Sequence, residues 1–183
     1  MKTGRIRTAV SGARGKMGVA TIAALRAADD IEYVGGLVRG SAQNAEEYTS
    51  LGTLFERARP EVLVDFTAFP TSMDIAIEAM QAGIRPVIGT SGYGAADVAR
   101  LQTESQRTGT GCVFAPNFAL GAVLMMRFAR DAAPHFAAVE IVEMHESGKK
   151  DAPSGTAMAT ARAIADVRTF QRAPTQSVKA DGA

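Results

Sequence analysis

The chain has 183 residues, a formal net charge of +1 and 46% hydrophobic residues, enough to bury the core of one domain or two small ones and too neutral to present the basic field of a nucleic-acid binder. Its single cysteine, Cys112, excludes an intramolecular disulfide framework. No apolar run reaches the length of a membrane span and no signal-peptide core opens the chain, so a cytoplasmic location is expected.

Residues 5–11 read as a short strand, followed by Gly12-Ala13-Arg14-Gly15-Lys16-Met17-Gly18 and an Ala-rich apolar helix over 19–28. Strand, glycine turn and helix together let a pyrophosphate sit against the helix N-terminus, with glycines where a side chain would collide with ligand or strand. Gly12, Gly15, Lys16, Met17 and Gly18 are therefore candidate cofactor contacts, spaced Gly-x-x-Gly-x-x-Gly rather than the stricter Gly-x-Gly-x-x-Gly. A second strand over 33–38 runs into Arg39, where a carboxylate would otherwise bind the adenosine ribose hydroxyls. Arg39 and Lys16 suit a 2′-phosphate, which tilts the expected cofactor toward NADPH over NADH. The alternative is that Arg39 is a solvated loop cation.

Strand and helix signals then alternate, the pattern of a parallel sheet covered by helices. Strands are predicted over 62–67, 86–92 and 111–115, and helices over 71–82, stopped by Gly83, and over 97–107. Ligands of open α/β sheets bind beyond the carboxyl ends of the strands. Phe66, Thr67, Gly89, Thr90, Ser91, Ala115 and Asn117 are thus expected to border a nicotinamide, with ordinary turn chemistry as the alternative for each taken singly. Cys112 lies in an apolar run and reads as buried and inert. The dinucleotide-binding domain is taken as 1–116.

The texture changes at Asn117, where a second domain, 117–183, begins. Residues 118–133 predict a long apolar helix whose Met and Phe stripe reads as core packing. His135 follows on a helix-to-strand connection and reads as a loop residue. A strand-like run over 139–144 ends at His145, an imidazole suited to proton transfer near neutrality. Lys149 follows four residues later across Gly148, so its ammonium could approach the same bound molecule. Pro153 and Ser154 are start signals for a helix over 156–167. The amides of Ser154, Gly155 and Thr156 at such a start would form a carboxylate or phosphate site. The competing reading is a charged loop before an ordinary capped helix. Residues 169–183 lack periodicity and read as a mobile end, and two histidines with one cysteine leave little to build a metal site, so no metal is expected.

Five segments, residues 12–18, 64–67, 87–92, 115–118 and 150–157, stand in the order and at the separations of the 4-hydroxy-tetrahydrodipicolinate reductases of bacterial lysine and diaminopimelate synthesis. The chain resembles this family over nearly its whole length, most specifically in Asp151-Ala152-Pro153-Ser154-Gly155-Thr156-Ala157. The resemblance implies an α/β fold: a Rossmann-like parallel-sheet domain, then an α+β substrate-binding and oligomerisation domain. It implies hydride transfer from NADPH or NADH to a small cyclic dicarboxylated imine, within a cytoplasmic homotetramer. His145 takes the place of the family's proton donor and Lys149 that of its second catalytic cation. Gly155 and Thr156 match the residues that hold a substrate carboxylate, beside Ser154. A C=N bond accepts hydride more readily when its nitrogen is protonated or a cation stands nearby, which suits these assignments.

Two departures stand out. Glu146 occupies the position of a second, substrate-binding histidine, and a carboxylate there repels a dianion unless it turns away or pairs with Lys150. The family also continues with further strands that complete the second domain's sheet, so that sheet is expected to be incomplete over these residues. These departures motivate two alternatives: a non-catalytic nucleotide-binding sensor or interaction module, and a related imine reductase with another substrate.

Overall fold

In chain order the first part of the molecule runs β1 (Ile6–Ser11), α1 (Lys16–Ala27), β2 (Ile31–Leu37), β3 (Glu47–Tyr48), α2 (Leu51–Ala58), β4 (Val62–Asp65), α3 (Thr71–Gln81), β5 (Arg85–Ile88), α4 (Ala95–Thr108) and β6 (Val113–Phe114). The computed structural model describes residues 4–115, 117–145 and 153–168. It divides into two compact units, Met1–Phe118 and Ala119–Ala183. All six strands lie in the first, in one parallel sheet of order β3-β2-β1-β4-β5-β6.

A parallel sheet needs both faces covered, and the period of two along each strand decides which side chains meet which helices. Val10 and Val64 turn to the face under α1, where Ile22 and Leu25 close over them. Their neighbours Ala9 and Leu63 turn to the opposite face, against Leu54 and Ala58 of α2 and Ile75 and Ala79 of α3. Ile88 of β5 packs with Met73, Ala76 and Met80 of α3 and with Leu101 of α4. The crossover lies between β1 and β4, neighbours in the sheet that pair Val10 with Val64 and Ser11 with Asp65. The carboxyl ends of those two strands therefore open side by side, where a doubly wound sheet makes its binding crevice.

The glycine turn sets how α1 meets the sheet. Gly12 has φ +77, a left-handed conformation that glycine adopts without a Cβ clash. A Cβ on Gly18 would lie 2.2 Å from the Gly12 carbonyl oxygen, and one on Gly12 would lie 2.7 Å from the Phe66 carbonyl oxygen. These are backbone atoms that cannot rotate aside. The helix consequently begins at Lys16, with Gly15 as its N-cap and no side-chain cap, three residues before the sequence pattern places it.

Two elements, β3 and α2, lie in a stretch that the sequence pattern left unassigned. The helical signal was present: Leu51, Leu54, Phe55 and Ala58 recur at helical spacing and pack into the core. Ser50 caps α2 by accepting from the Thr53 amide at 3.2 Å. Cys112 is half-buried rather than buried, and burial pushes its thiol above the ordinary value, which keeps it protonated and unreactive.

The described residues of the second unit form α5 (Leu120–Ala132), a 3-10 turn (Ala133–His135) and α6 (Gly155–Ala165). The run 139–144, read as a strand, pairs with no strand among the described residues. A strand requires a ladder partner, and apolar patterning cannot supply one. No residue of α5 is buried, so the stripe expected to pack a core leaves Leu120 71% and Phe128 63% exposed among the described residues. Arg168 donates to the carbonyls of Ala133, Pro134 and Phe136 and ties the end of α6 to the 3-10 turn.

Tyr33 and Tyr93 are the two phenols whose titration burial alters in the first unit. Burial pushes the Tyr33 phenol up to about 12, helped by Glu46 and opposed by Arg26. Burial likewise pushes Tyr93 up to about 12, opposed by its hydrogen bond to Ser72 and helped by Asp65.

Two predictions follow from this packing. Gly18→Ala should lower the urea-unfolding free energy by about 1–3 kcal/mol, as overpacking does. Gly52→Ala, at a helical site with open space, should raise it by about 0.5–1 kcal/mol; equal effects at the two sites would contradict the close approach described. Because both phenols bind protons more tightly folded than unfolded, their contribution is intact below the ordinary value of 10.0 and is lost as pH rises toward about 12. Urea midpoints measured from pH 9 to 12 should fall less steeply in Tyr33→Phe/Tyr93→Phe than in the parent, and parallel curves would reject this.

Candidate functional site

A cleft of about 820 Å³ opens at the carboxyl ends of β1, β2 and β4. Its floor is Ser11 and the turn Gly12 to Gly15, its far wall is Val38, Arg39 and Ser50, and Phe66, Thr67 and Thr71 close the other side. Because Gly15 carries no capping side chain, no side-chain oxygen occupies the start of α1, where amides and helix dipole favour an anion. The Ser11 hydroxyl is buried on the cleft floor and finds no hydrogen-bond partner among the described residues. An uncapped helix start, a turn that admits no Cβ and an orphaned hydroxyl together fit a dinucleotide's phosphates.

Of the cofactor contacts expected from sequence, Gly12, Gly15, Arg39, Phe66 and Thr67 line this cleft. Lys16 and Met17 begin α1 with exposed side chains, and Gly18 is buried against the turn. Arg14, to which the sequence reading gave no role, stands in the cleft wall instead. Its guanidinium is forked onto Glu47 at 3.0 and 2.6 Å and reaches the Ser41 carbonyl. That pairing holds the Glu47 carboxyl below the usual carboxylate range, with the Gln43 amide adding to it, and it fastens the loop after β2 to the glycine turn. Ser50 and Thr49 were also missed, because they belong to the unassigned stretch.

Gly89, Thr90, Ser91, Ala115 and Asn117 lie beyond β5 and β6 and are not among the residues that line the cleft. A Cβ on Gly89 would fall 2.2 Å from the Phe66 ring, so this glycine makes room for Phe66, which meets Phe118 edge-on at 5.4 Å. Thr90 is buried and Ser91 is exposed. The Ala115 amide donates to the Ile88 carbonyl at 2.9 Å, and Asn117 is half-buried.

Beneath this edge lies a polar cluster absent from the sequence reading. Asp65, 1% exposed, accepts from Thr67 Oγ1 at 2.8 Å, from Ser72 Oγ at 2.5 Å and from Thr90 Oγ1 at 3.0 Å. Tyr93 donates in turn to Ser72 Oγ at 2.8 Å. A buried carboxylate needs such donors, since leaving it unpaired costs several kcal/mol or more (roughly). Spacing along the chain could not reveal the cluster, because its members come from β4, α3 and the loop after β5.

In the second unit, Ser154 caps α6 by accepting from the Ala157 amide at 3.1 Å. The Ser154 amide, expected to face outward for a ligand, donates instead to Glu143 Oε1 at 2.8 Å. The helix start thus already holds a carboxylate from its own chain, which the dipole favours. Glu143 Oε2 stands 3.8 Å from His145 Nδ1, so one carboxylate is bonded to the helix start and lies near the imidazole without a hydrogen bond to it. Gly155 and Thr156 form the first turn of α6. Glu146, Lys149 and Lys150 lie outside the described residues. Among the described residues no cluster of His, Cys, Asp and Glu could hold a metal ion, and no helix is long and apolar enough to cross a membrane.

Comparison with known proteins gives this geometry its context. Residues 6–118 match the family model described as dihydrodipicolinate reductase, N-terminus, and residues 121–182 match its C-terminal counterpart. Proteins named 4-hydroxy-tetrahydrodipicolinate reductase are 38% identical in Bacillus pumilus, over 91% of this chain and 67% of that one, and 41% identical in Geobacillus kaustophilus, over 91% and 68%. One from Nocardia farcinica is 46% identical over 89% of this chain and 62% of its own. The chain therefore spans about two thirds of the length of these relatives. A dipicolinate-bound dihydrodipicolinate reductase from a Paenisporosarcina species superposes with a TM-score of 0.79 at 36% identity, covering 98% of this chain and 73% of that one. GenD2 from gentamicin A biosynthesis, in complex with NAD, shares the fold alone at 19% identity and a TM-score of 0.59, over 72% of this chain and 41% of that one. With both halves matched in sequence and most of the chain superposed on a solved relative, the chain belongs to the dihydrodipicolinate reductase family.

Proposed function

We propose that this chain reduces 4-hydroxy-tetrahydrodipicolinate to tetrahydrodipicolinate with a nicotinamide dinucleotide, a step of lysine and diaminopimelate synthesis. The observation that carries this reading is the family match through both halves of a chain whose first unit holds a glycine-turn cleft fitted to a pyrophosphate. Bound there, the nicotinamide supplies the hydride. The amides of Arg14, Lys16 and Met17 bind the phosphates, those of Ala13 and Gly15 being given to the Leu37 and Gly12 carbonyls. Arg39, on the cleft wall, receives a 2′-phosphate with Lys16, which favours NADPH over NADH. Gly89, Thr90, Ser91, Ala115 and Asn117 border the nicotinamide end.

In the second domain, counted from residue 117, His145 delivers the proton to the imine nitrogen. Glu143 beside Nδ1 orients the ring and leaves Nε2 for the substrate. Lys149 is the second cation. Gly155 and Thr156 receive a substrate carboxylate through the first turn of α6, beside Ser154, whose amide is given to Glu143 and whose hydroxyl oxygen accepts from the Ala157 amide. The negative charge of Glu146 weakens binding of that carboxylate unless it is paired with Lys150. The working form is a cytoplasmic homotetramer.

Purified protein should oxidise NADPH when supplied with freshly made substrate, and dipicolinate should compete with that substrate. A folded sample without turnover would refute the proposal. His145→Gln should lower kcat by about 10²–10⁴, the usual worth of a general acid, and Lys149→Ala should lower it in the same direction, each with nucleotide affinity retained. Arg39→Ala should weaken NADPH binding roughly tenfold, consistent with the loss of a charge-assisted hydrogen bond, and leave NADH unchanged. Equal losses for the two nucleotides, measured by titration of dinucleotide fluorescence, would remove Arg39 from the 2′-phosphate.

A further inference from the structure

We infer that Asp65 is a positioning residue for hydride transfer, acting through the hydroxyls of Thr67 and Thr90 to set the edge of the sheet that faces the nicotinamide. The inference rests on the proposed dinucleotide reading of the cleft. Asp65 itself is 1% exposed and is not among the residues that line the cleft. It sits at the last position of β4, paired across the sheet with Ser11 of β1 and Ile88 of β5, where the strands hand over to the loops around the cleft.

The hydrogen bonds have a direction. Each hydroxyl has one proton to give, and a carboxylate can only accept. Tyr93 donates to Ser72, Ser72 donates to Asp65 Oδ2, and Thr90 donates to the same oxygen, while Thr67 donates to Oδ1. Thr90 Oγ1 also lies 3.2 Å from the Thr67 carbonyl, so without Asp65 its proton has another acceptor and the loop another resting place. One buried carboxylate thereby locks the loop after β4, the first turn of α3 and the loop after β5 to one another. Such bonds to an ionised acceptor are shorter and stronger than neutral ones. Thr67 and Thr71 line the cleft, and Phe66, between Asp65 and Thr67, stacks over Gly89. Displacing Thr90 shifts the surface on which a nicotinamide ring rests while leaving the glycine turn, α1 and Arg39 in place. Asp65 is therefore expected to govern the reactive end of the dinucleotide and not its adenosine end.

The test separates those two ends. Asp65→Asn weakens the cluster without changing its volume, Thr90→Val removes one hydroxyl at constant shape, and Thr90→Ser restores that hydroxyl. For each, calorimetric affinity for 2′-phospho-ADP-ribose, which lacks the nicotinamide ring, is measured beside the single-turnover rate of hydride transfer and its primary deuterium isotope effect with 4-deuterated NADPH. The expected result is unchanged affinity for 2′-phospho-ADP-ribose, a hydride-transfer rate lowered by about tenfold to a hundredfold, as small misplacements of reacting groups cost, a larger isotope effect in steady-state turnover, and recovery in Thr90→Ser. Parallel loss of both affinity and rate would mean a purely structural role and overturn the inference, as would an unchanged rate in folded Asp65→Asn and Thr90→Val. A parent protein that binds neither ligand would instead overturn the dinucleotide reading beneath it. Should Asp65→Asn fail to fold, Ser72→Ala, which removes a buried donor to Asp65 and lines no part of the cleft, decides the matter by the same two readouts.

Discussion

Backbone packed directly on backbone at the glycine turn is the constraint from which the rest of the first unit follows. The Gly12 carbonyl occupies the space a Gly18 Cβ would need, and the Phe66 carbonyl occupies that of a Gly12 Cβ. This approach brings the start of α1 down onto the junction between β1 and β4. It also leaves the first amides of α1 without a side-chain cap and so makes them available to an anion. A turn that kept its side chains would hold the helix farther from the sheet and fill the place where phosphates fit.

The same end of the sheet carries two polar arrangements that work on different spans. Arg14 and Glu47 join the glycine turn to the loop between β2 and β3, on the side of the cleft where Arg39 stands. Asp65 joins the loops after β4 and β5 through three hydroxyls. The first pair is solvent-facing on the Arg14 side, where water and salt screen it. The second is buried, where an unmet hydrogen bond is costly and the arrangement is accordingly specific. The sheet's carboxyl edge is thus held by an exposed ion pair on one side and by a buried carboxylate on the other.

The second unit shows how differently a segment reads when its neighbours are few. Glu143, His145 and Ser154 meet around the start of α6, and the Ser154 cap was legible because its hydroxyl bonds within one turn. Glu143 was not, because nothing in the run 139–144 marks one carboxylate as the partner of an amide eleven residues later. The run itself has the composition of a strand and, among the described residues, no ladder partner. Likewise the apolar stripe of α5 has a helical period that says it will be covered and does not say by what.

The sequence by itself determined whatever is local: the glycine spacing of residues 12–18, the period of two that sorts Ala9 from Val10 and Leu63 from Val64, the Ser154 cap, and through its motifs the family. Elements 47–58 escaped only because their helical period is short and follows a two-residue strand. The tertiary structure alone decided which carboxylates matter and to whom they bind. Asp65 reaches Ser72 and Thr90 across seven and twenty-five residues, and Arg14 reaches Glu47 across thirty-three. Backbone propensity and periodicity act over a few residues, whereas a buried charge is satisfied by whichever donors the packed strands and helices bring within about 3 Å of it.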